Sequence, residues 1–201
     1  MYNYNIYSYA RDKAWQFLIN NNVKCLPVSL SSVCKQNNIL LTKDANKDFL
    51  YAGDRGATYL INGIYHVVIN GSDPIPVQRY TTAHELGHIF LEHPMTDGKY
   101  GRSFGIQREP KTPEEYQAER FAIDILAPAC VLWGLKLHTA EEIAKICNIS
   151  ITSAKFRAER MKELYKREQE FLQTKGQSCF LVSELERKVF DQFRTFIENM
   201  L

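Results

Sequence analysis

The sequence predicts an α+β fold, because strand patterns cluster before residue 80 and helical patterns follow it. The strongest strand signal is a pair of β-branched and aromatic runs, residues 57–61 and 64–69, separated only by Asn62 and Gly63. Both turn residues tolerate a positive φ, so we expect the two runs to pair as an antiparallel hairpin. The helical signal is the recurrence of apolar residues every three or four positions after the hairpin.

Elements on either side of the hairpin follow from the same patterns. Apolar residues at helical spacing predict two helices ahead of it, over residues 7–21 and 30–36, and a third helix after it, over residues 77–91. Residues 93–111 are rich in Gly, Pro, Asp and Ser and show little periodicity, which predicts an exposed loop. Such loops often border a substrate cleft.

A fourth helix is predicted from its start signal. Thr112 is placed as the N-cap, Pro113 at the first helical position, and Glu115 as the residue that closes a capping box. The helix is expected to run to about Leu126, because Pro128 cannot continue it.

The C-terminal part differs in composition from the rest of the chain. Alternating charges at helical spacing continue to Glu170, and an amphipathic helix is predicted over residues 183–200. We therefore expect an α+β domain over residues 1–135 and a helical subdomain over residues 136–201.

Composition and charge exclude several classes of function. Hydrophobic residues make up 45% and charged residues 24% of the 201 residues, as in ordinary globular proteins, and the net charge of +2 is too small to require nucleic acid or an anionic membrane. The first residues are polar and aromatic, unlike a signal peptide, and no apolar run is long enough to span a bilayer. The five scattered cysteines fit reduced thiols. We expect a soluble, cytoplasmic protein with no membrane partner.

The segment His84-Glu85-Leu86-Gly87-His88 is an H-E-x-x-H motif on a predicted helix. Spacing of i, i+4 puts both imidazoles on one helix face, where they can share one zinc ion. Neutral imidazoles leave the charge of the ion uncancelled, so that it can lower the pKa of a bound water toward roughly 7. Glu85 is suited to act as the general base that takes the proton of that water as it attacks a carbonyl. The candidate donors to the resulting oxyanion are Tyr80, His93 and Tyr100.

A catalytic zinc needs a third protein ligand as well as an open position. The candidates are His93, Glu92 and Glu115. In the longer H-E-x-x-H-x-x-G-x-x-H motif the third histidine would occupy the position of Pro94, so His93 comes one residue early and is interpreted as a surface histidine. Glu115 is preferred as the ligand, because Glu119 follows it at i+4 and can orient a ligand histidine from behind.

Two segments resemble the ImmA/IrrE family of bacterial metallopeptidases. They are RYTTAHELGH at residues 79–88 and EYQAERFA at residues 115–122, the second ending in LAP at residues 126–128. The second segment is the more specific, because E-x-x-A-x-x-F-A shortly before a proline is not part of the general zinc-protease signature. The chain departs from the family at Glu119, where Asn or Asp is common, and at Ala127, where Met is common.

The resemblance implies a zincin-like core of the gluzincin type and an intracellular zinc endopeptidase. It also implies a substrate: a helix-turn-helix transcriptional repressor, often encoded beside the protease on a mobile element, that loses its repression through a limited cut. The chain would then act as an anti-repressor protease.

A second hypothesis comes from the C-terminal part. Residues 141–150 resemble the first helix and turn of a helix-turn-helix, with Asn148 at the left-handed turn position. Residues 155–167 carry six basic and two acidic side chains, an excess that can meet phosphate. The alternative function is therefore a DNA- or repressor-binding regulator with a structural or sensory metal site. Direct DNA binding is not favoured, because a structural zinc has no use for a base such as Glu85.

Overall fold

A computed structural model describes residues 4–46, 48–51, 53–96, 99–100 and 111–201 of the chain. The predicted α+β class is confirmed by helices that accompany a mixed five-stranded sheet. The strands are β1 (Leu40–Asp44), β2 (Gly56–Ile61), β3 (Ile64–Asn70), β4 (Met95–Thr96) and β5 (Lys99–Tyr100). The helices are α1 (Tyr4–Asn20), α2 (Leu30–Gln36), α3 (Ile75–Phe90), α4 (Pro113–Leu126), α5 (Ala129–Gly134), α6 (Ala140–Cys147), α7 (Ile151–Lys175), α8 (Glu184–Gln192) and α9 (Arg194–Met200).

Internal contacts group the chain into two compact units. The first comprises Met1–Lys13 and Ser29–Ala122, and the second comprises Ala14–Val28 and Ile123–Leu201. The division into domains 1–135 and 136–201 stays a prediction. Among the helices described, none has both the length and the apolar character needed to cross a bilayer.

The sheet is built around the predicted hairpin, which is confirmed. Its strand order is β1-β3-β2-β5-β4, with β2 and β3 antiparallel and β1 parallel to β3. The hairpin turns at Asn62 and Gly63, whose φ values of 51° and 75° lie in the left-handed region that these two residue types tolerate. Part of the predicted loop 93–111 forms β4 and β5, whereas its positions 97–98 and 101–110 lie outside the described residues.

Helix α3 lies directly on β2, and the absence of a side chain at Gly56 makes this approach possible. A Cβ at Gly56 would collide with Cγ2 of Thr81 on α3. The helix begins at Ile75, two residues earlier than predicted, because Pro76 in its first turn has no N–H that needs a partner. Helix α3 is therefore seated against the strand from its N-terminal half onward.

A second close approach joins α3 to α4. A Cβ at Gly87 would lie 3.0 Å from Cα and 3.1 Å from the carbonyl oxygen of Ala118. Three residues further along each helix, the rings of Phe90 and Phe121 stack with centroids 6.3 Å apart. The two backbones are thus nearly in contact, which brings the N-terminal turns of α4 beside the H-E-x-x-H segment.

The second unit contains one clear departure from the sequence prediction. The single helix predicted over residues 183–200 is wrong, because the chain forms α8 and α9 separated at Phe193. Phe193 is fully buried with φ −91° and ψ 0°, outside helical geometry, and its ring takes a place in the core. Just before it, the Gln192 amide donates to the carbonyl oxygens of Leu18 and Val23, at 2.8 and 2.6 Å, which ties the end of α8 in place.

The contact at Gly87 generates a prediction with a definite sign. Helix propensity alone would make Gly87→Ala stabilising by about 1 kcal/mol. The added methyl group meets backbone atoms of Ala118, and overpacking of this kind costs roughly 1–3 kcal/mol. We expect the free energy of unfolding, measured by urea denaturation, to fall by a net 1 kcal/mol or so. A more stable Gly87→Ala variant would contradict the close packing of α3 on α4.

Candidate metal centre

Three buried side chains from two helices converge in the first unit. His84 and His88 lie one turn apart on α3, and Glu115 lies in the first turns of α4. The two Nε2 atoms are 3.1 Å apart, His84 Nε2 is 3.3 Å from Glu115 Oε2, and His88 Nε2 is 3.5 Å from Glu115 Oε1. In the part of the chain that the structure describes, this is the one group of three such side chains with the spacing of metal ligands.

The dimensions of this group fit a zinc ion. Ligand atoms about 2.0–2.1 Å from a tetrahedral ion lie roughly 3.3–3.4 Å from one another. The three separations in this group, 3.1, 3.3 and 3.5 Å, scatter around that value. Two imidazoles and one carboxylate are also the donor set of catalytic zinc sites, in which a fourth position stays open for water. The group therefore suits a catalytic zinc rather than a closed structural one.

Burial and neighbouring groups keep His88 and Glu115 in the protonation states that bind a metal ion. Burial, together with the neighbouring His84, lowers the pKa of His88 to about 3, so that its imidazole is neutral at physiological pH. Burial raises the pKa of Glu115, but the hydrogen bond and the charge interaction with His84 outweigh it and lower the pKa overall. A neutral imidazole and an ionised carboxylate are the forms that bind a metal ion, so these two groups need not lose a proton on binding.

Glu85 is held by a residue that the sequence analysis did not select. Thr58 of β2, fully buried, donates its hydroxyl hydrogen to Oε2 of Glu85 at 2.8 Å. Glu85 follows His84 on α3 and is itself buried. The only sequence signal for Thr58 is a hydroxyl residue inside an otherwise apolar strand run, which is also common in strands without a functional role.

His93 has a different position from the predicted one. The interpretation as a surface histidine is wrong, because the residue is 8% exposed and burial lowers the pKa of its ring. Its Nδ1 lies 2.9 Å from Nδ1 of His88, and its Nε2 lies 2.9 Å from Oε1 of Gln117 on α4. His93 therefore contacts the ring of a candidate ligand on the side away from the shared Nε2 atoms. Gln117 was missed altogether by the sequence analysis.

The C-terminal cap of α3 explains how His93 reaches His88. Glu92 adopts the left-handed conformation with φ 56°, its N–H donates to the carbonyl of Ile89 at 3.1 Å, and the N–H of His93 donates to the carbonyl of His88 at 3.1 Å. This pair of bonds is a Schellman motif, which folds the chain back over the last turn of the helix. The structure thus brings Glu115 to the histidine pair, whereas His93 lies behind His88 and Glu92 is exposed at the cap.

Two further predicted site residues lie on the same pair of helices. Glu119 forms an ion pair with Lys111, and its predicted role behind the ligands stays a prediction. Burial, and then the charges of Glu119 and Glu115, raise the pKa of Tyr80, so its hydroxyl remains protonated at physiological pH and is able to donate. The side chain of Tyr100, another candidate oxyanion donor, lies outside the described residues.

The capping box predicted at the start of α4 is only half formed. The Glu115 N–H donates to Oγ1 of Thr112 at 3.4 Å, as an N-cap requires. The Glu115 carboxylate faces the histidines with both oxygens instead of returning to the N-cap. The same position in the sequence therefore carries a helix-start signal and a site residue.

Comparison with known proteins agrees with this geometry. The sequence matches the peptidase M78 family, described as the IrrE N-terminal-like domain, over residues 34–159. No curated protein matches the chain. The matched region is well over half of the chain and contains α3, α4 and the strands of the sheet. The chain therefore belongs to the ImmA/IrrE family and is a metallopeptidase.

Proposed function

We propose that this metallopeptidase is a zinc-dependent endopeptidase that makes a limited cut in a helix-turn-helix transcriptional repressor. The observation that carries the proposal is the convergence of His84, His88 and Glu115 beside Glu85, at separations that fit one zinc ion. The repressor substrate and a bacterial mobile element as the source rest on the family resemblance. The cytoplasmic location rests on that resemblance and on the scattered cysteines.

Each site residue has a definite part in this mechanism. His84, His88 and Glu115 would hold the ion, which when bound supplies a Lewis acid and lowers the pKa of water to roughly 7. Glu85 accepts the proton of the attacking water and passes it to the leaving amine. The Thr58 hydroxyl keeps the Glu85 carboxylate in one orientation, so that little reorganisation is needed before the proton moves.

A second candidate function is a DNA- or repressor-binding regulator in which the metal is structural or sensory. It is favoured by the turn between α6 and α7, where Asn148 has the left-handed φ of 51° expected of a helix-turn-helix. The basic face is smaller than the sequence predicts, because Arg157 is buried and pairs with Asp124 at 3.2 Å. The basic side chains of residues 155–167 that remain exposed are Lys155, Arg160, Lys162, Lys166 and Arg167.

The metal proposal predicts one zinc ion per chain. Elemental analysis should find about one equivalent in the wild type and large losses in His84→Ala and Glu115→Ala, because each removes one of three ligands. His138→Ala, a histidine outside the site, is the control and should keep its zinc. Full retention of zinc in Glu115→Ala would move the third ligand to another residue, with His93 and Glu92 as the next candidates.

The predicted role of Glu119 has its own test. Glu119→Ala should weaken zinc affinity roughly tenfold to a hundredfold without abolishing binding, as losses behind the ligands usually do. The measurement is a competition titration against a chromophoric chelator. The control is Lys111→Ala, which removes the ion-pair partner of Glu119 and leaves the Glu119 carboxylate in place. Unchanged zinc affinity in Glu119→Ala would contradict the predicted role of Glu119 behind the ligands.

The mechanism predicts that Glu85→Gln keeps zinc and fold but loses proteolysis. The amide has the same shape as the carboxylate and cannot accept the proton of water, and losing general-base help costs about a hundredfold to ten-thousandfold in rate. The assay is co-expression with the helix-turn-helix repressor encoded nearest to the gene, followed by blotting for fragments and by reporter output.

Controls make this assay decisive between the two functions. Glu170→Gln applies the same substitution to an exposed residue of α7 and should cleave like the wild type. Cleavage that persists in Glu85→Gln would overturn the assigned base. Derepression without cleavage in wild type and in Glu85→Gln would favour a binding protein that sequesters the repressor.

A further inference from the structure

We propose that His93 and Gln117 form a relay that fixes the tautomer of His88, so that its Nε2 presents a lone pair to the metal. This inference rests on the proposed zinc site and assigns two positioning residues that do not touch the ion. The relay consists of two contacts in series. Gln117 Oε1 lies 2.9 Å from His93 Nε2, and His93 Nδ1 lies 2.9 Å from His88 Nδ1.

The direction of each hydrogen bond in this series follows from Gln117, the residue at the end away from His88. The carbonyl oxygen of the Gln117 amide only accepts, so His93 must carry its proton on Nε2 and donate it there. A neutral imidazole has one protonated nitrogen, which leaves Nδ1 of His93 as an acceptor. His88 then donates from its own Nδ1, and its Nε2 has no proton. That nitrogen is the one 3.5 Å from the Glu115 carboxylate.

Reversing the amide would reverse every bond in the series. If the NH2 group of Gln117 faced His93, the Nε2 of His93 would accept and its Nδ1 would donate. His88 would accept on Nδ1 and carry its proton on Nε2, which cannot ligate a metal in that form. The orientation of one amide group thus decides which tautomer of His88 is favoured.

The arrangement replaces the partner that most ligand histidines have. A metal-ligating histidine usually donates its other N–H to a carboxylate, a backbone carbonyl or water. Here the partner is a second imidazole, which is itself oriented by an amide from α4. Helix α4 therefore contributes to the site twice, through Glu115 as a ligand and through Gln117 behind His93.

The folding of the chain holds both relay residues in place without help from a metal. The Schellman motif at Glu92 fixes the backbone of His93 over the last turn of α3. The contact between Gly87 and Ala118 fixes α4, and Gln117 precedes Ala118 directly. The relay is therefore expected in the zinc-free protein as well, which makes it measurable apart from catalysis.

The test combines four variants with two measurements on the full chain. His93→Phe keeps a ring but removes both nitrogens, Gln117→Met keeps the length of the side chain but removes the acceptor, and Gln117→Glu keeps the acceptor. The fourth variant joins His93→Phe and Gln117→Met. The measurements are zinc affinity, by chelator competition, and the protonation of the imidazole nitrogens, by 15N NMR of zinc-free protein. His138→Phe is the matched control, and thermal unfolding checks that each variant folds.

The relay predicts a specific pattern of results. Zinc affinity should fall roughly tenfold to a hundredfold in His93→Phe and in Gln117→Met, with Gln117→Glu retaining most of the wild-type affinity. The double variant should be no weaker than the weaker single variant, because either change breaks the same series. In zinc-free wild type, NMR should find the proton on Nδ1 of His88 and on Nε2 of His93, and Gln117→Met should disturb both.

Other results would overturn the relay. These are a proton on Nε2 of His88 in the zinc-free wild type, unchanged zinc affinity in folded His93→Phe, or additive losses in the double variant, which would mean two independent packing effects. Failure of the wild type to bind zinc would contradict the proposed function instead. The tautomers, measured without zinc, decide the relay separately in that case.

Discussion

The candidate site depends on the near contact of two helix backbones at Gly87 and Ala118. Two histidines on one helix can share an ion, but the third candidate ligand, Glu115, lies on another helix, and a carboxylate side chain has a short reach. Because no side chain separates the helices at Gly87, Glu115 reaches both Nε2 atoms within 3.5 Å. The glycine of the H-E-x-x-H segment and the alanine of the second segment are thus packing residues, and the site geometry is a consequence of that packing.

The contact between β2 and α3 also positions a side chain of the candidate site. Gly56 lets β2 approach the helix, and two residues later Thr58 donates to the Glu85 carboxylate. The candidate base is therefore contacted from the strand, while the candidate ligand His88 is contacted by His93 from the cap of α3. Two elements, β2 and α4, therefore pack against α3 and its C-terminal cap, so small changes in packing at either of them are transmitted to the site.

The sequence was informative where local rules decide the structure. Asn62 and Gly63 favour a left-handed turn, and the spacing of His84 and His88 needs only a helix to bring the rings together. Sequence patterns were uninformative where a structural feature lacks the residue type that usually marks it. The cap at Glu92 has no glycine to mark it, so nothing local indicated that His93 folds back onto His88. The break at Phe193 likewise follows from burial of its ring in the core. Burial of one ring does not change the spacing of apolar residues from which a helix is predicted.

The charges buried in this site point to the kind of ion that suits it. His88 is neutral because burial and His84 hold its pKa at about 3, while Glu115 is ionised because its contacts lower its pKa in spite of burial. Glu85, buried on the same helix, would also have to be ionised to act as the proposed base. Two buried carboxylates then carry two negative charges, and uncompensated buried charge is costly. A divalent cation balances both charges, and the pair of imidazole nitrogens favours zinc over magnesium or calcium, which prefer oxygen ligands. Binding the ion to the folded chain would also stabilise the first unit, since the unfolded chain holds no such site.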